Sequence, residues 1–97
     1  NNVNVPTRIE ELYNISFDEL VKRSRKKEIV KPRQVAMFLL REETKLSLPD
    51  IGLKLGGRDH STVILACEKI KYESSVDEPL RQELVLIRER VYNSFDK

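Results

Sequence analysis

Apolar residues recur along this chain at intervals of three and four, in blocks separated by polar turns. That spacing lays one side of a helix against a core, whereas the strict alternation of a half-buried strand does not occur. Thr7-Arg8-Ile9-Glu10 has the form of a capping box and predicts a first helix near 7–13. Ser16-Phe17-Asp18-Glu19 is a second such box, with Ile15 and Leu20 placed to close a hydrophobic staple around a short helix near 17–23. A loop is predicted over 24–31. Pro32 suits the first turn of a third helix, where its missing N–H would have no partner in any case. Val35, Ala36, Phe38, Leu39 and Leu40 give that helix a broad apolar face, and it should run to about Lys45. Ser47 can cap a fourth, short helix with Pro49 in its first turn, Leu48, Ile51 and Leu55 on one face, and Gly56-Gly57 as its stop. Asp59 then caps a fifth helix reaching about Glu73, with Val63, Ala66, Cys67 and Ile70 as its buried stripe. After a turn near Asp77, Pro79 opens a last helix on which Leu80, Leu84, Ile87, Val91 and Phe95 share a face. The expected fold is all-α: a compact bundle of about six helices in a single domain spanning 1–97.

Composition agrees with that outline. Hydrophobic residues make up 39% of the 97 residues and charged residues 35%, enough for one core under an ionic surface. The three glycines and four prolines are too few for a turn-rich β fold. The lone Cys67 rules out an internal disulfide and fits a reducing compartment. No apolar run is long enough to span a membrane, and no leader is visible. The chain opens on Asn1 rather than methionine and is expected to be part of a longer protein.

The net charge of +2 matters less than its distribution. Between Lys22 and Arg33 stand Lys22, Arg23, Arg25, Lys26, Lys27, Lys31 and Arg33, opposed only by Glu28. Such a patch can face phosphate, acidic lipid or an acidic protein, or simply be a solvated surface.

The stretch 47–73 narrows the choice. A short helix, a glycine turn and a longer helix are the layout of a helix-turn-helix, whose second helix enters the DNA major groove by its N-terminal end. An ordinary helical hairpin has the same outline. With about 100° between successive residues, Ser61 falls opposite the Val63/Cys67/Ile70 stripe, while Arg58, Thr62 and Lys69 lie to one side of it. The start of this helix therefore offers solvent a dense set of donors and acceptors of the kind that fits base edges. Asp59 is a helix cap in either reading. Asp59, His60 and Ser61 also have the residue types of a hydrolase triad, but neighbours on a helix diverge too far to relay a proton. One His and one Cys do not make a metal site. No phosphate-binding glycine motif occurs. These observations give no catalytic constellation, so no enzyme is expected, and leave a DNA-binding module, a helical domain that docks an acidic partner, or a transcription regulator with the same motif.

Gly56-Gly57-Arg58-Asp59-His60-Ser61-Thr62-Val63 resembles the signature of the C-terminal DNA-binding domain of DnaA, the bacterial chromosomal replication initiator family. Lys31-Pro32-Arg33-Gln34-Val35-Ala36-Met37 and Ser47-Leu48-Pro49-Asp50-Ile51-Gly52 are similar to two further segments of that family, and the likeness extends from about Ile9 to Ile70. The resemblance implies a bacterial, cytoplasmic protein that recognises short boxes in double-stranded DNA at a replication origin. It implies that Asp59, His60, Ser61 and Thr62 read bases in the major groove, with Leu48 and Pro49 touching thymine methyls or backbone nearby. It implies that Arg25 enters the adjacent minor groove, and that Arg33, Gln34, Arg41, Lys54 and Arg58 hold phosphates. The basic loop is where this chain differs most from the family pattern. No cofactor is expected here, since ATP would belong to the family's separate ATPase module. The partners implied are DNA and the rest of the initiator.

Overall fold

A computed structural model describes the backbone of residues 4–95 and the side chains of residues 5–90. Among the described residues six helices follow one another: α1 Asn4–Tyr13, α2 Phe17–Val21, α3 Lys27–Glu43, α4 Leu48–Lys54, α5 His60–Val76 and α6 Glu78–Phe95. No strand occurs among the described residues. The fold is the all-α bundle the periodicity predicts.

Local chemistry sets most of the helix starts. Ser16 accepts from the Glu19 amide at 3.2 Å while the Glu19 carboxylate accepts from the Ser16 amide at 3.4 Å, completing the predicted capping box of α2. Ser47 accepts from the Asp50 amide at 3.2 Å to cap α4, with Pro49 in the first turn. Asp59 accepts from the Ser61 amide at 3.0 Å to cap α5. Each such cap stabilises its helix by about 1 kcal/mol.

Two starts differ from the sequence expectation. Thr7 lies inside α1 rather than at its N-cap, and the Glu10 carboxylate is used elsewhere, accepting from the Phe17 amide at 2.8 Å. Glu10 thus helps cap the helix that follows its own. The larger difference is α3, which begins at Lys27, so that Pro32 sits in the helix interior and the predicted 24–31 loop shrinks to residues 22–26. Lys26 makes no side-chain cap, and Pro32 has no N–H to give the carbonyl one turn back. Tertiary contacts hold this first turn instead: Ile29 packs against the core and Lys31 pairs with Glu73 of α5.

The core lies where α3 crosses the other helices. Val35 to Leu40 are all buried, and they share one core with Val5 and Ile9 of α1, Leu20 of α2, Ile51 of α4 and Leu55 at its end, and Val63, Ala66, Cys67 and Ile70 of α5. Leu80, Leu84 and Ile87 of α6 complete it, α6 packing on α1 and α5. Each large aliphatic side chain buried in this way contributes about 1.5–3 kcal/mol. Val91 and Phe95, the expected continuation of the α6 stripe, lie outside the described side chains. The Tyr13 hydroxyl donates to Glu83 at 2.7 Å and joins α1 to α6. Arg88 donates to Glu43 at 2.9 Å and lies 5.7 Å from the centre of the Phe38 ring, joining α6 to α3.

Candidate nucleic-acid interface

The turn between α4 and α5 is built on close backbone contact. Gly56 and Gly57 have φ of 98° and 74°, a region that costs glycine little and other residues more. Gly52 meets the turn so closely that a Cβ there would lie 2.0 Å from the Arg58 carbonyl oxygen. The Arg58 amide donates back to the Gly52 carbonyl at 2.8 Å. Val63, Ala66, Cys67 and Ile70 face inward as the helical wheel predicts, and Asp59, His60, Ser61 and Thr62 are exposed. Asp59 and Ser61 are engaged with each other as well, since the Ser61 hydroxyl and amide both donate to the Asp59 carboxylate and hold it below the usual carboxylate range.

The short loop after α2 lies against this turn. Arg58 donates through Nη1 to the Val21 carbonyl at 3.0 Å and through Nη2 to the Lys22 carbonyl at 2.8 Å. Nη1 also donates to the Leu55 carbonyl at the end of α4. From the other side, Arg33 donates through Nε to Leu20 at 2.9 Å and through Nη2 to Lys22 at 2.7 Å and Ser24 at 3.2 Å. These carbonyls belong to the end of α2 and the loop beyond it, where a helix runs out of its own donors.

Arg33 and Arg58, expected to hold phosphates, are here engaged with the protein's own backbone. Arg33 is only 8% exposed, and the donors named here serve the protein's own backbone. Burial pulls both guanidinium groups below their ordinary value, as does a neighbouring cation: Arg58 for Arg33, and Arg23 for Arg58. No sequence pattern marks this role, because the acceptors lie on distant parts of the chain.

The structure gathers several of the other candidates. Arg25 is exposed on the loop and lines a hollow with Gln34 and Lys69. Gln34 also lines the adjoining hollow with Thr62 and Leu65. Its buried Oε1 has no partner among the described protein atoms. Lys69 and Leu65 were not among the expected contact residues; both are exposed on the α5 face and line this hollow beside Thr62. Arg41 lines a separate hollow with Phe38, Cys67 and Lys71. Burial pushes the Cys67 thiol up, and the nearby Arg41 partly draws it back. On α4, Leu48 packs partly into the core, while Pro49 and Lys54 are exposed. No group of three or more His, Cys, Asp or Glu side chains among the described residues could hold a metal ion. No helix among them is long and apolar enough to cross a membrane.

A glycine-bent pair of helices, an uncovered polar start to the second, and a basic loop beside it define a helix-turn-helix domain of the DNA-binding class. Comparison with known families is specific: the model of the bacterial DnaA protein helix-turn-helix matches residues 4–70. The chain belongs to that family. It is 54% identical over 83 residues to the chromosomal replication initiator protein DnaA of Chloroflexus aggregans, covering 86% of this chain and 17% of that protein. The same-named protein of Thermomicrobium roseum is 49% identical over 80 residues, covering 82% of this chain and 17% of the relative. That of Treponema pallidum (strain Nichols) is 45% identical over 82 residues, covering 84% and 18%. The chain thus spans about 17% of the length of the first two relatives.

Proposed function

We propose that this chain binds a specific double-stranded DNA box of the replication-origin type, reading it from two grooves. The observation that carries the proposal is the exposed Asp59–Thr62 start of α5 with the loop bearing Arg25 tied beside it. A helix enters the major groove by such an end, and its free N–H groups favour phosphate. His60 and Thr62 are the side chains with most freedom to read bases; Ser61 and Asp59 read with whatever capacity their mutual cap leaves. Leu48 and Pro49 give apolar contact to thymine methyls or to backbone. Arg25 enters the adjacent minor groove, where the deeper negative potential of a narrow A·T tract attracts a guanidinium. Gln34, Arg41 and Lys54 hold phosphates, which sets affinity and orientation but carries no sequence information.

The chain acts on this reading as the DNA-recognition module of a cytoplasmic bacterial initiator. It is not itself an enzyme, and any ATP chemistry belongs to another part of the longer protein. The test is a binding titration of the chain against a family-type box and a scrambled duplex of equal length. The proposal expects preference for the box by a factor of about 10³ or more at physiological salt. Equal affinity for both duplexes would instead favour a basic surface that docks an acidic protein.

A further inference from the structure

We propose that Arg58 is a positioning residue that locks the Arg25 loop to the start of α5, so that minor-groove and major-groove contacts are made in one register. The proposal rests on the two-groove reading and adds to it the device that joins the two readers. One guanidinium holds the C-terminal ends of two helices, accepting carbonyls being supplied by Val21 at the end of α2, by Lys22 just after it and by Leu55 after α4. The next residue along the chain, Asp59, is the N-cap of α5. Three helix ends therefore meet at a single side chain, and the rigid path from loop to reading helix is one residue long.

The surroundings are shaped to admit this contact. A Cβ at Gly56 would lie 2.3 Å from Arg58 Nη1 and 2.5 Å from the Val21 carbonyl oxygen, so the glycine opens the path for the guanidinium as well as bending the turn. Arg33 holds the same Lys22 carbonyl from the α3 side, which leaves the loop braced between α3 and the α4–α5 turn. A planar fork can serve carbonyls in different directions at once, whereas an ammonium on a flexible stem is a point charge that cannot reproduce the geometry. Bringing Arg58 near Arg23 and Arg33 costs like-charge repulsion. A residue needed only to meet phosphate would not have to be drawn inward to bear that cost.

The experiment compares the wild-type chain with Arg58→Lys, which keeps the charge, with Arg58→Gln as a companion, and with Arg25→Ala. Backbone order at Arg23, Ser24 and Arg25 is measured by ¹⁵N relaxation in the free protein. Each variant is also titrated with the box and with a box whose A·T end is replaced by G·C, and thermal melting confirms that it is folded. The clamp predicts that order parameters in the loop fall from near about 0.85 to below about 0.6 in both Arg58 variants. It predicts that Arg58→Lys loses A·T-end discrimination by roughly fivefold or more, the lower end of what one base contact is worth. Adding Arg25→Ala should then produce no further loss. Unchanged loop order in Arg58→Lys, or retained A·T discrimination where Arg25→Ala loses it, would overturn the proposal. If Arg25→Ala itself leaves discrimination intact, the minor-groove reading has failed, and the loop order alone then decides the clamp.

Discussion

Arg33 on α3 and Arg58 in the α4–α5 turn donate to the same backbone oxygen, the Lys22 carbonyl, at 2.7 and 2.8 Å. Two guanidinium groups in one neighbourhood repel, and the hydrogen bonds to carbonyls that a helix end leaves without intrahelical donors offset that repulsion. The same two side chains that give the sequence its basic look are thereby turned into struts for the backbone.

Arg33→Ala should therefore act on the fold. Hydrogen bonds made by a charged group contribute about 1.5–3 kcal/mol, and this substitution leaves the Leu20 and Ser24 carbonyls without the Arg33 donor. We expect a loss of about 2–3 kcal/mol in urea denaturation. An unchanged unfolding midpoint together with weaker DNA binding would return Arg33 to the phosphate contacts.

His60→Ala and Thr62→Ala should weaken binding to the box far more than to random DNA. Both side chains are exposed at the start of α5 and belong to no part of the core. Each lost base contact costs about 1–3 kcal/mol of discrimination. Parallel titrations check this, and equal losses on the two duplexes would assign the residues to the DNA backbone.

Lys54→Ala should reduce the salt dependence of binding. The side chain is exposed at the last turn of α4 and takes part in no ion pair found among the described residues. One phosphate contact contributes a slope of about −0.9 in log K against log salt. Titrations at several salt concentrations should show the variant shallower by about that amount, with its preference for the box intact.

Gly52→Ala should damage both stability and recognition. The added methyl would sit 2.0 Å from the Arg58 carbonyl oxygen, a backbone atom that cannot swing aside. Overpacking of this kind costs about 1–3 kcal/mol. Because the contact sets how α4 meets the turn, box binding should fall further than lost stability explains. A melt and a titration on the same sample separate the two effects, and wild-type values in both would show that α4 and the turn shift apart freely.

What the sequence determined by itself lies within a few residues of each decision. Ser16, Ser47 and Asp59 cap their helices because a cap needs only its own side chain and an amide two or three positions on. The buried stripe of α5 follows from helical spacing, and the stretch 56–63 is read directly as a family signature. Tertiary structure decided whatever depended on partners far along the chain. Thr7 lies inside α1, which begins at Asn4, and Glu10 reaches forward to Phe17. α3 starts before Pro32, because packing of Ile29 and the Lys31–Glu73 pair outweigh a missing backbone hydrogen bond. Of the cations between Lys22 and Arg33, Lys31 is committed to Glu73 and Arg33 to carbonyls 9 to 13 positions away, while Arg25 remains exposed. Arg58 reaches carbonyls 36 and 37 positions away. Charge is visible residue by residue, but whether a guanidinium faces solvent or a backbone carbonyl depends on where distant helix ends come to rest.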